Sequence, residues 1–158
     1  MPSMSLEGFI THLGAALTHT KKHEHHALEH AAKIVEAEAK REIGHYQNQA
    51  GPFTTWPELA DRTQNERSKA GFSPNDPGLR SGQMRDSIEH KVGDLEAVVG
   101  SNDDHLVWFE LGTNKQPPRS VLGMAAVHKG AEVAHVIGQG VVKSLVGPGV
   151  FNGRLPIP

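Results

Sequence analysis

Apolar residues recur at helical spacing through the first third of the chain. Leu6, Ile10, Leu13, Leu17, Leu28, Ala31, Val35, Ala39 and Tyr46 fall on one stripe. The spacing predicts one long helix over about residues 5–48, capped by Ser3 or Ser5, with Glu7 in its first turn. A polar gap from Thr18 to His26 interrupts the stripe, and a bend is expected there or at Gly14. Gly51-Pro-Phe-Thr-Thr ends the pattern. A short second helix is then expected from Trp56 to Lys69 or Ala70, with Thr55 as N-cap, Pro57 in the first turn and Gly71 as the stop.

Ser73-Pro-Asn-Asp-Pro-Gly78 is a turn cluster, and Leu79 to Arg85 fits a single helical turn. From Asp86 to Val92 the pattern alternates as a strand does. Gly93-Asp94 supplies a turn, and Leu95 to Gly100 returns as the hairpin partner. Val107 to Leu111 suits a short helix capped by Asp103 or Asp104, with a strand as the close competitor. Pro117-Pro118 introduce a last helix from Arg119 to about Gly138, burying Leu122, Ala125, Ala126, Val133, Val136 and Ile137. Val141 to Val146 reads as a short strand and Gly147 to Pro158 as a tail. The class is α+β: a long N-terminal helix, a second short helix, a small antiparallel hairpin and a C-terminal helix. One domain is expected over residues 1–146, with a helical arm at 5–48 and an α+β body at 52–146.

Composition narrows the function. Sixteen Lys and Arg against eighteen Asp and Glu leave a formal charge of −2, which does not suit a clustered basic grip on nucleic acid. The apolar share of 37% and aromatic share of 5% suggest a thin core completed by neighbouring subunits. There is no cysteine, so disulfides and thiolate metal sites are excluded. No basic region followed by an apolar run opens the chain, and no apolar segment approaches the ~18 residues of a membrane span. A soluble protein made in the cytosol is therefore expected.

Seven of the eleven histidines lie between His12 and His45. His12, His19, His23, His26 and His30 cluster at roughly 120° from the centre of the apolar stripe, a solvated flank of the helix. His26-Ala-Leu-Glu29-His30 matches a zinc-peptidase pattern, so a zinc-dependent hydrolase using His26, Glu29 and His30 is the enzymatic alternative, and a small cytosolic binding module or assembly chaperone is the non-enzymatic one. A helix rich in His and Glu generates that pattern readily, and no third ligand stands out downstream. Asp103 and Asp104 suit helix capping better than carboxylate-pair catalysis. Glu110 falls within an apolar run and should seek a cation, with Arg80, Arg85 and Arg119 as candidates.

Four elements in order carry a family resemblance: Gly51-Pro-Phe-Thr-Thr-Trp-Pro-Glu-Leu-Ala60, Leu79-Arg-Ser-Gly-Gln-Met-Arg-Asp-Ser-Ile88, Phe109-Glu-Leu-Gly-Thr113 and Pro117-Pro-Arg-Ser-Val-Leu122. Over about residues 31–140 the chain resembles the neck or tail-completion proteins of long-tailed phages, the minor-tail or virion-morphogenesis type. Ser120-Val121 stands where members of that family commonly have a Pro-Phe-like pair. The resemblance implies a virion subunit of the head–tail joint, present in the host cytoplasm during assembly, without catalysis, metal or cofactor. It implies a homo-oligomeric ring, with a hexamer favoured over a dodecamer, through which DNA passes without specific binding. Implied neighbours are a head–tail connector or stopper and a tail terminator or tail-tube protein. Arg80, Arg85, Glu110, Thr113 and Arg119 are the residues expected to hold subunit contacts or lock the fold.

Overall fold

The computed structural model describes residues 6–146. Its elements are α1 (Leu6–Glu42), α2 (Asp61–Lys69), α3 (Gln83–Asp86), β1 (Ile88–Val92), β2 (Ala97–Ser101), α4 (Asp104–Leu111) and α5 (Leu122–Val146). This is the α+β architecture. The long helix α1 lies antiparallel to α5 and also covers one face of the two-stranded sheet.

The apolar stripe on α1 does what its spacing implies in the second half of the helix. Ala31, Ala32 and Ala39 are buried, and Val35 packs against the core. Ile43, Trp56, Met84, Ile88, Phe109 and Met124 complete that core beneath α1 and α5. Nearer its start, Ile10 is 60% exposed. The helix runs unbroken through Gly14 and the polar gap.

It stops at Glu42, six residues before the expected end. Gly44 adopts φ 98°, a left-handed conformation open to glycine, and its N–H turns away to donate to the Pro77 carbonyl at 2.7 Å. Tyr46 therefore lies outside the helix, where its hydroxyl accepts from Leu59 N and donates to Asn75 Oδ1.

The second helix also begins later than expected, at Asp61 with Ala60 as the capping position. Tertiary hydrogen bonds hold the preceding residues out of helical conformation. Trp56 N donates to Gln47 O, and the Pro57 and Glu58 carbonyls are taken by Arg119. Thr55 Oγ1 accepts from Gln49 N instead of capping a helix. The helical turn expected from Leu79 falls at α3, behind the left-handed Gly82.

β1 and β2 pair antiparallel, from Ile88↔Ser101 to Val92↔Ala97. The turn is a four-residue loop, Gly93 to Glu96, closed by Gly93 N donating to Glu96 O at 2.8 Å, rather than the two-residue Gly93-Asp94 turn. β1 starts at Ile88 because Asp86 and Ser87 end α3.

α4 is a helix, and Asp103 is its N-cap, its carboxylate accepting from His105 N. The strand expected at Val141 to Val146 is instead the last part of α5, which starts at Leu122 rather than Arg119. Two glycines failed to end α5 because one of them is where the long helices touch. A Cβ on Gly140 would sit 2.4 Å from Ala27 Cβ, so only a bare backbone fits there. Next along α5, Ser144 lies beside Thr20, whose hydroxyl donates to the Ser144 carbonyl at 3.4 Å. Val133 and Val136 are half-buried as expected, whereas Ala126 faces solvent and Ile137 is on the exposed margin. The tail expected from Gly147 lies outside the described residues. Among the described residues no helix is long and apolar enough to cross a membrane.

The Gly140 contact sets opposite signs for two helix substitutions. Gly140→Val should cost about 1–3 kcal/mol by forcing the helices apart. Gly130→Ala, where nothing lies within 4 Å of an added Cβ, should gain about 0.5–1 kcal/mol from helix propensity. Urea denaturation of both variants measures the pair.

Candidate functional site

The residues nominated from sequence converge on the segment from α4 to the start of α5. α4 packs Leu106 and Phe109 into the core, and Trp56 meets the Phe109 ring edge-on at 5.4 Å between centroids. At the helix end Gly112 has φ 75°, and a Cβ there would lie 2.7 Å from Pro118 N, so glycine alone permits the close return of the chain. Thr113 then pairs with Gln116 across a tight turn, and its hydroxyl accepts from the Lys115 and Gln116 amides. Arg119 N donates to the Phe109 carbonyl, laying the returning strand against α4.

This return brings the first turn of α5 onto the Glu110 carboxylate. Oε2 accepts from Val121 N at 2.6 Å and Leu122 N at 2.9 Å. Oε1 accepts from the Ser120 hydroxyl at 2.5 Å and Gly123 N at 3.1 Å. A helix start leaves amide donors without intrahelical partners and carries partial positive charge, so a carboxylate satisfies both needs at once. The expected pairing of Glu110 with an arginine is thus replaced by a capping role. Three backbone amides and one hydroxyl from a single turn outcompete a single guanidinium.

Arg119 is 3% exposed, and burial lowers its pKa. Its Nε and Nη2 donate to the Pro57 carbonyl at 3.0 and 2.7 Å, and Nη2 also to the Glu58 carbonyl. The guanidinium lies 5.7 Å from the Phe109 ring centre. Arg119 therefore pins the segment before α2 to the α4–α5 turn through carbonyls. Arg85 pairs on the surface with Asp86 at 2.8 Å, and Arg80 stacks over Phe72 at 5.0 Å. Neither reaches Glu110.

Beside this turn lies an open cleft of about 500 Å³. Arg67, Arg80, Lys115 and Arg119 line it, with Met84, Trp108 and Phe109 among its apolar residues. Arg67 donates to the Asp76 carbonyl, and burial lowers its pKa. The outer face of α4 is apolar too: Val107 and Trp108 are each 50% exposed and Leu111 is 74% exposed. An eight-residue helix with apolar side chains on both sides is suited to being covered twice, once by its own core and once by a partner.

A second cluster joins α1 to the rest of the molecule. Glu36 bonds the His90 imidazole of β1 and Lys40; burial pushes its pKa up, but these two partners hold it below the ordinary value. Glu38 is held low first by Arg41, with Lys129 at 3.9 Å. Glu42 is fully buried, and its Oε1 is hydrogen-bonded to His128 Nδ1 of α5 at 2.7 Å. Its Oε2 has no partner among the described residues, and burial raises its pKa to about 7.

Glu38, Glu42 and His128 offer ligand atoms within 4.8 Å of one another, the spacing a metal ion would need. Arg41 and Lys129 already balance the charge of Glu38, and the arrangement serves as a clamp between the long helices. Sequence reading missed it, although Glu38 and Glu42 sit three residues beyond Val35 and Ala39, on the edge of the apolar stripe.

Among the described residues, no group of three metal-ligating atoms gathers on the histidine flank. Glu29 pairs with Lys33 at 2.6 Å, while His26 stands 3.8 Å from Glu29 with 61% of its side chain exposed. His30 is exposed, and the side chains of His12 and His19 lie outside those described. No protein-family model, curated protein or solved structure matches the chain.

The capping role makes a quantitative demand. Glu110→Ala should lose about 2–4 kcal/mol in urea unfolding, since it strips several donors of their acceptor, whereas Arg80→Ala should stay within about 0.5 kcal/mol. Glu42 makes a pH demand. Its folded pKa lies above that of an unfolded glutamate, so its contribution to stability is present at low pH and is lost as pH rises through about 7. Glu42→Gln should therefore melt higher than the parent at pH 8, by about 1–2 kcal/mol, and the difference should vanish near pH 5. Thermal unfolding across that range reads it directly.

Proposed function

We propose that this chain is a structural subunit of the head–tail joint of a long-tailed phage, a tail-completion or neck protein that works by assembling with copies of itself. The observation that carries the reading is the apolar outer face of α4, Val107, Trp108 and Leu111, presented by the rigid turn that Glu110 and Arg119 build. Support also comes from what the motif residues do. Gly112, Thr113, Glu110 and Arg119 are all occupied with backbone geometry, which suits a scaffold and leaves no free nucleophile or general base among them.

In this role the subunit forms a ring by heterologous contacts, and neighbouring connector, stopper, terminator or tube proteins meet its two ends. DNA traverses the lumen. A formal charge of −2 on the subunit favours passage over adhesion. The work is shape complementarity within a virion, with no bond made or broken.

Light scattering and negative-stain microscopy of the purified protein with its neck partners test the reading. Closed rings are expected, and Trp108→Asp should weaken them at least tenfold while leaving the circular dichroism spectrum intact. A chain that stays monomeric at every concentration, with those partners present, would end the proposal.

A further inference from the structure

The molecule carries two complementary surface features. At the tip of the β1–β2 hairpin, Leu95 is 84% exposed, one of the barest apolar side chains described. Asp94 and Glu96 flank it, both exposed and neither in an ion pair among the described residues. The cleft beside α4 is the counterpart. Met84, Phe109 and Trp108 give it apolar surface, and four cations, Arg67, Arg80, Lys115 and Arg119, line it against the two carboxylates of Glu58 and Asp103. Arg80 and Lys115 form no ion pair within 4.0 Å among the described residues.

We infer that the hairpin tip of one subunit docks into the α4 cleft of the next, Leu95 entering the apolar part while Asp94 and Glu96 face Arg80 and Lys115. This rests on the ring-forming reading above and names the surfaces that make the ring.

Geometry makes the contact intermolecular. The cleft lies at the base of the hairpin, where Met84 precedes β1 and Asp103 follows β2. The strands pair from Ile88↔Ser101 at that base to Val92↔Ala97 at the tip. Four residue steps at ~3.3 Å carry the tip about 13 Å from that base. A paired hairpin cannot bend back into the cleft at its own root.

Two different patches that fit each other make a head-to-tail contact, which propagates from copy to copy and closes if the rotation allows. An apolar residue entering a pocket between opposite charges is the arrangement in which desolvation favours binding and charge sets the register. The second copy is thus the occupant that matches the cleft in both charge and polarity.

The absence of cysteine makes a clean test possible. Leu95→Cys and Gln116→Cys place one thiol at the tip and one in the cleft, both outside the buried core. Mixing the two full-length variants under mild oxidation should give a covalent dimer that neither yields alone. The doubly substituted chain should give a ladder. Reversing the tip charges, Asp94→Lys with Glu96→Lys, should cut the yield at least tenfold, and Arg80→Glu with Lys115→Glu in the cleft partner should restore it.

Equal cross-linking by Leu95→Cys alone would mean tip-to-tip pairing and overturn the inference. So would an uncross-linked mixture that scatters as oligomers, which would leave ring formation standing through another surface. If the cleft reversal abolished binding of a short DNA duplex but left the cross-link unchanged, the cleft would belong to nucleic acid and the inference would fail. A strict monomer in the presence of neck partners would instead defeat the functional reading itself.

Discussion

The fold hangs on where one carboxylate goes. Glu110 leaves a helix that is apolar on nearly every side and delivers its two oxygens to the opening turn of α5. That single placement fixes the angle between α4 and α5, closes the Gly112–Gln116 turn and sets Ser120 where its carbonyl accepts from the Trp56 indole at 3.1 Å. Arg119 completes the arrangement from the other side by gathering the carbonyls that precede α2. A carboxyl side chain and a guanidinium stand nine positions apart and do not pair. Each finds backbone groups that would otherwise be buried without partners, and satisfying those groups is worth more than a direct ion pair.

The same economy governs the contact between α1 and α5. Close approach at Ala27 and Gly140 supplies the packing, and polar groups supply the register. His128 reaches Glu42 and lies near Glu38, so the two helices cannot slide by a turn without stranding a buried carboxylate. Glu42 is the costly member, fully buried with one oxygen unpartnered. Its retention suits a joint that must hold one alignment rather than maximise stability.

Much of this was legible in the sequence, and the remainder was hidden for physical reasons. The stripe of Ala31, Val35 and Ala39 located the buried half of α1, and Asp103 marked the start of α4. Local signals failed where distant backbone competed. Thr55 and Pro57 make a sound helix start, yet Arg119, more than sixty positions away, holds the Pro57 and Glu58 carbonyls out of a helix. Gly138 and Gly140 resemble a helix stop, but one of them is the contact point with α1, a fact no window of neighbouring residues contains. Glu110 invited an arginine because composition reveals charge and conceals unpaired amides. Gly44, like Glu38 and Glu42 on the edge of the stripe, was a legible signal passed over, since a glycine followed by a polar run is an ordinary way to end a helix.

The doubly apolar character of α4 has a consequence for its orientation. An amphipathic helix knows which way is in from its own pattern, whereas this one has Phe109 and Trp108 on adjacent azimuths with similar appetite for burial. Glu110 therefore serves as an index mark, choosing one rotational setting from several of comparable hydrophobic reward. A subunit without that mark would be more apt to present the wrong aromatic to its surroundings than simply to unravel, and its errors would surface as faulty joints between otherwise folded molecules.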